Sequence, residues 1–151
     1  MSQQDDSIKQ EVEIALLYKV LSFVRLPNNL MPNAFVLCFT NNVPNNVISL
    51  QGKELHGKKV LVRPLKTDQA DSTSCTALFG VALSHKYKNQ KIVEIARQPL
   101  KCSQPNAQHI GIYLRDDKFA FDLNLVEAEK DGFQFELGLI KRARNLCNKG
   151  H

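Results

Sequence analysis

Apolar and polar positions alternate most clearly in the last third of the chain, from His109 to Leu146. Residues 109–114 form a mostly apolar run of strand length, and Arg115-Asp116-Asp117-Lys118 supplies a polar turn in which Asp suits local backbone hydrogen bonding. Phe119, Phe121 and Leu123 then alternate with Ala120 and Asp122, which predicts a second strand with one aromatic, buried face. Asn124 is placed to cap a short helix over 125–131, and Gly132 to end it in a left-handed conformation. A further helix is predicted over 136–146, with Leu139, Ile140, Ala143 and Leu146 on one stripe.

Earlier segments follow the same logic. Ile8, Val12, Ala15, Leu16, Val20 and Phe23 keep a helical period, Ser7 and Gln10 fit a capping box, and Pro27 marks the stop. Residues 34–39 are almost continuously apolar, as a central strand covered on both faces would be. A short helix is expected over 47–51, a turn between Gly52 and Gly57, and a peripheral strand over 59–65, where Val60, Val62 and Leu65 interleave with polar positions. Residues 75–83 read as another apolar strand, Ser84 as the cap of a short helix to Asn89, and 91–96 as a strand. Residues 98–108 hold two prolines and no period, so they read as a loop. Strands alternating with helices predict a three-layer α/β/α sandwich with a mainly parallel sheet, to which the final hairpin adds an antiparallel strand.

At 151 residues one domain spans 1–151, with its residues 1–6 expected to be disordered. No apolar run approaches the roughly 18–20 residues that cross a bilayer, and the first residues lack the basic and apolar regions of a signal peptide. The net charge of +5 raises the question of nucleic acid. Lys141, Arg142, Arg144 and Lys149 account for four of those five charges, within an acid-free segment at the C-terminal end. A nucleic-acid surface spreads charge along a face with interleaved aromatics, so no nucleic-acid partner is expected.

Catalytic and metal signatures are missing from the pattern. No two of Cys38, Cys75, Cys102 and Cys147 are closer than 27 residues, and His56, His85, His109 and His151 are scattered, so no metal site is expected. No Gly-x-Ser-x-Gly elbow or phosphate-binding glycine spacing occurs. Asp116, Asp117, Glu127, Glu129 and Asp131 read as turn and surface acids. Neither an enzyme nor a cofactor is expected. What remains is recognition: Arg25 and Leu26 at a helix end, His56 in a turn, and Phe133 and Phe135 after a glycine are candidate partner-binding residues wherever they are exposed.

The run Ile110-Gly111-Ile112, Phe121-Asp122-Leu123-Asn124-Leu125, Ala128, Gly132 and Leu139-Ile140-Lys141-Arg142-Ala143-Arg144 resembles the end of the YfiR family. The stretch from Leu17 to Pro27 is similar to the family's first helix, except that Leu26 stands where the family has tryptophan. The resemblance implies a non-enzymatic periplasmic regulator, its signal peptide removed and Met1 not the native start. Its expected partner is the periplasmic domain of an inner-membrane diguanylate cyclase, which it represses, lowering cyclic di-GMP and biofilm formation. An OmpA-like outer-membrane lipoprotein that captures the repressor and a homodimer are further implied, without membrane insertion. The family's surfaces carry over onto Arg25, Leu26, His56, Phe133 and Phe135. The resemblance also implies a Cys38–Cys75 disulfide; the residues alone leave open two buried free thiols of a cytosolic core. Cys102 lacks the local partner of the family's second bridge, and the reading slightly favours leaving Cys102 and Cys147 unpaired. Two alternatives stand beside this one: a periplasmic small-ligand-binding module, and a cytosolic thiol enzyme using Cys38 or Cys75.

Overall fold

The computed structural model describes residues 3–27, 33–40, 43–65, 75–80, 92–103 and 108–148. In chain order these form α1 (Gln3–Ser22), β1 (Val24–Arg25), β2 (Phe35–Phe39), a 3-10 turn (Asn45–Leu50), β3 (Glu54–Leu55), β4 (Lys58–Pro64), β5 (Ala77–Gly80), β6 (Val93–Ala96), β7 (Ile110–Arg115), β8 (Lys118–Asn124), α2 (Leu125–Lys130), β9 (Gln134–Phe135), α3 (Leu137–Arg142) and β10 (Asn145–Cys147). Eight strands make one sheet in the order β10-β8-β7-β6-β5-β2-β4-β3, while β1 and β9 pair apart from it as an antiparallel ribbon.

The apolar runs take the middle of the sheet because both their faces are covered. β2 lies between β4 and β5, parallel to each, and β5 and β6 are buried at every position. The half-exposed β4 lies further out and is closed by a hairpin to β3, turning through His56 and Gly57 at positive φ. At the other end β8 runs antiparallel to β7 through Asp116 and Asp117, both left-handed, and β10 joins parallel to β8. Asp tolerates that conformation better than most residues, and two such residues in succession give the turn whose twist matches flanking strands.

One face of the sheet carries the main core. Leu17, Val20 and Leu21 of α1, the 3-10 turn's Val47 and Leu50, Ala128 of α2 and Leu139 of α3 all pack there. On the opposite face Cys38, Cys75, Leu78 and Ile92 form a smaller cluster with Val36 and Leu65. No helix among the described residues covers that second face. The helix expected over 84–89 lies outside the described residues, as do 81–83, His85 and His151.

Three expectations need correction. α1 begins at Gln3, so Ser7 lies inside the helix rather than capping it, and residues 3–6 belong to it. Its buried side is Ile14, Leu17, Val20 and Leu21, leaving Ile8 and Val12 exposed. The helix is apolar on two sides, and buried Glu13, held bidentate by Arg97 at 2.6 and 3.0 Å, fixes which side turns inward. The last helix stops at Arg142 instead of continuing to 146. Ala143 turns extended and the Arg144 amide donates to the Phe121 carbonyl at 2.8 Å, so Asn145–Cys147 is drawn into the sheet. Cys102 and Cys147 are joined by a disulfide, Cα–Cα 5.4 Å, because β10 brings Cys147 back beside the loop after β6.

The Cys38–Cys75 disulfide ties β2 to the start of its neighbour β5 across 37 residues, Cα–Cα 5.9 Å. Restricting a loop of that length in the unfolded chain is worth about 4 kcal/mol. Replacing both cysteines by alanine is expected to lower the unfolding free energy in urea by about that amount, leaving Cys102–Cys147 as the bond through which a reductant still acts.

Candidate functional site

The residues singled out for recognition converge on the end of α1. α1 ends at Ser22, five residues before the expected stop at Pro27, because the chain is drawn off as β1, with Val24 opposite Phe135 and Arg25 opposite Gln134. The ribbon is locked at one end by the Glu136 amide on the Phe23 carbonyl (3.0 Å). At the other end Gly132, at φ +83°, brings a would-be Cβ to 3.7 Å from Pro27 Cγ. Arg25, Leu26, Phe133 and Phe135 are therefore neighbours. Their roles diverge: Phe133 and Phe135 point into the core, Leu26 is half-buried, and Arg25 is exposed. The alternation of the ribbon does this, since Phe135 and Val24 share the inward face while Gln134 and Arg25 share the outward one.

His56 reaches the same helix end from the β3–β4 hairpin. Its ring is exposed, yet its Nε2 lies 2.9 Å from the Leu21 carbonyl, one of the orphan acceptors of the last turn of α1, and the ring stacks on Phe35. That makes it a clasp on the helix terminus. His109 plays a comparable part under the ribbon. Its Nδ1 accepts from the Glu94 amide (2.9 Å), which leaves Nε2–H to donate to Asp131 Oδ2 (2.6 Å), while Phe133 meets the ring edge-on. The end of α2 and the ribbon are thus held against β6 and β7.

The second constellation lies on the face without helices, and sequence reasoning missed it. Asp122, buried in β8, accepts from Tyr113 Oη (2.6 Å), Asn145 Nδ2 (3.2 Å) and the Leu100 amide (3.1 Å). These bonds bring β7, β10 and the loop after β6 to one carboxylate, and the Cys102–Cys147 disulfide pins the same loop. The loop lies so close that a Cβ on Gly111 would stand 2.5 Å from the Gln98 carbonyl oxygen and 3.1 Å from Leu100 Cγ. Two signals pointed here: a glycine inside an apolar strand, which marks close approach of another backbone, and an aspartate facing Gly111 across the hairpin. A concavity of about 740 Å³ opens beside it, with Arg144 and Asn148 on its wall.

The polar groups here are consumed by one another, as a structural hub requires, and none is left poised as a base. Burial first, and then donation to Asp122, push the Tyr113 hydroxyl above its ordinary value. All four cysteines are in disulfides, which removes the thiolate that a thiol enzyme using Cys38 or Cys75 needs. Among the described residues no group of three or more His, Cys, Asp or Glu side chains is arranged to hold a metal ion. No helix among them is long and apolar enough to cross a membrane.

Fold and site together define a disulfide-clamped, mainly parallel α/β domain. The sequence profile of the YfiR/HmsC-like family matches residues 10–144, and the chain belongs to that family. No curated protein sequence matches it significantly. Among solved structures it is similar to one described as an O-acetylhomoserine (thiol)-lyase from Campylobacter jejuni, at 14% identity and a TM-score of 0.41. That match covers 67% of this chain and 30% of the other, and a likeness so slight carries no argument about activity.

Two outcomes are expected at the hub. Gly111→Ala drives a methyl into a pinned backbone carbonyl and is expected to cost about 2–3 kcal/mol. In a Cys102→Ala/Cys147→Ala background, where the loop can retreat, the cost shrinks, and a double-mutant cycle in urea measures the difference. Tyr113 keeps its proton in the folded protein at pH values where the unfolded chain loses it. Its contribution is therefore intact below about pH 10 and lost as the pH rises beyond that. Comparing Tyr113→Phe with the parent across that range should show a shallower decline of stability in the variant.

Proposed function

We propose that this protein is a non-catalytic periplasmic regulator that binds the periplasmic domain of an inner-membrane diguanylate cyclase and holds it inactive, lowering cyclic di-GMP and biofilm formation. The observation that carries the reading is membership of the YfiR/HmsC-like family over residues 10–144. Two disulfides fit an oxidising compartment, where such bonds persist. The alternative of a small-ligand-binding module has the 740 Å³ concavity in its favour, but the polar groups converging there bond to each other.

Repression requires differential affinity. To move the cyclase from 99:1 active to 1:99, the regulator must bind the inactive state about 10⁴-fold more tightly, about 5.5 kcal/mol. The docking candidates are the exposed parts of the corner built by α1, the ribbon and the β3–β4 hairpin: Arg25, Leu26 and His56. Phe133 and Phe135 support that corner from beneath. A homodimer and capture by an OmpA-like outer-membrane lipoprotein belong to the same proposal.

The test pairs a binding assay with a cellular readout. The oxidised protein is expected to pull down the purified periplasmic domain of a membrane diguanylate cyclase from the same cell, and deleting the gene to raise cyclic di-GMP. Unchanged cyclic di-GMP, together with no complex, would sink the proposal.

A further inference from the structure

We infer that the α3 corner docks an acidic protein surface, with Leu137 as the apolar anchor and Arg25, Lys141 and Arg142 as the cationic rim. This rests on the partner-binding reading above and adds to it the chemistry of the partner and three residues of the contact.

Leu137 is 63% exposed, more than any other large apolar side chain among the described residues. It opens α3, whose Leu139 is buried at 3%. The core uses Leu139 to seat the helix and leaves Leu137 in water, where the fold itself has no use for it. A single exposed apolar residue is ordinary by itself. Its surroundings distinguish this one. Lys141 and Arg142, both exposed, end the same six-residue helix, and Arg25 stands on the outward side of the ribbon that the Glu136–Phe23 hydrogen bond joins to it. None of the three cations has an ion-pair partner among the described residues.

The dipole of so short a helix accounts for one cation at its C-terminal end, and not for Arg25, which lies outside it. Nearby acids are otherwise engaged: Asp131 with His109 and Glu127 with Lys130. Glu136 sits at the N-terminal end of α3, where its charge suits the dipole. The corner thus offers uncompensated positive charge around an apolar anchor. Such a surface selects a partner of opposite sign and accelerates its approach at low ionic strength. A second exposed apolar region, the groove of about 540 Å³ between α1 and the β7–β8 turn, is different. Lys9 and Asp117 already face each other across it at 3.8 Å, and nothing in its mixed charges selects a partner.

The experiment measures affinity for the purified periplasmic cyclase domain at roughly 0.05 M and 0.5 M salt, a span over which screening shortens from about 14 to 4 Å. The variants are Leu137→Ala, Lys141→Glu/Arg142→Glu and, as a control in the groove, Val12→Ser, each checked for native circular dichroism. Leu137→Ala and the charge reversal are each expected to weaken binding at least about 10-fold. High salt should weaken the parent and leave the charge-reversed variant little changed, while Val12→Ser binds as the parent does. Parent-like binding by both corner variants, or loss of binding in Val12→Ser alone, overturns this inference and leaves the regulatory reading standing. No binding by the parent at either salt overturns both. Binding to phosphatidylglycerol vesicles but not to the cyclase domain replaces the acidic protein with a lipid surface and overturns the inference as stated.

Discussion

The register of β7 against β8 is the constraint on which the rest of the structure depends. Ile110 faces Leu123 and Ile112 faces Phe121, while Gly111 faces Asp122. Because side chains alternate, this pairing sends four large apolar residues to the α1 face and leaves Gly111, Tyr113 and Asp122 for the other. A slip by one residue would bury a carboxylate under α1 and push Phe121 and Leu123 out of the core. The left-handed Asp116-Asp117 turn and the apolar face enforce the same register from opposite ends of the hairpin. The hairpin also reverses the chain, so that β10 can return parallel to β8 and set Cys147 against Cys102.

That register gives the two faces different means of cohesion. The α1 face is held by apolar burial, with Phe35, Phe79, Leu17 and Leu21 fully enclosed. The other face is held by directed bonds: the Asp122 hub and two disulfides spanning 37 and 45 residues. Hydrophobic burial tolerates small repacking, whereas a hub of one buried carboxylate with three donors does not, because losing a donor leaves a buried charge less compensated. Loop 97–103 follows from this division. It lies on Gly111, is bonded to Asp122 and is tied to Cys147, so it behaves as part of the sheet rather than as a free connection.

Much of this was legible in the sequence where local and tertiary preferences agree. The continuous apolar strand at 35–39, the alternation from Phe119 to Leu123, the Asn124 cap (its Oδ1 accepting from the Glu127 amide at 3.1 Å) and the Gly132 stop all follow from short-range rules. The failures occur where two periods compete. Leu139 to Leu146 fits a helical stripe, but Asn145–Cys147 also fits a strand, and the open edge of β8 decided between them through long-range hydrogen bonds. α1 carries apolar residues on two sides, so its period could not choose the buried one; the Glu13–Arg97 pair, separated by 84 residues, does so. Pairing of Cys102 with Cys147 stays open in the sequence, because it depends on where the C-terminal segment returns, and β10 decides it.

The recognition residues illustrate the same limit at the candidate site. From sequence, large apolar groups such as Phe133 and Phe135 after a glycine more often face the core and are anchors only where exposed, and Leu137 looks like one more helix residue. Pairing of β9 with β1 settles these roles. The ribbon has only two residues per strand, so its inward side must carry bulky groups to hold against the core, and Val24 and Phe135 supply them. Phe133 is then committed to His109. The burial of Leu139 two positions beyond Leu137 turns Leu137 outward, since residues two apart on a helix do not share a face. A surface for a partner is thus generated as the remainder of a packing solution: the side chains that the core and the ribbon cannot use stand together, and on this corner they are one leucine and three cations.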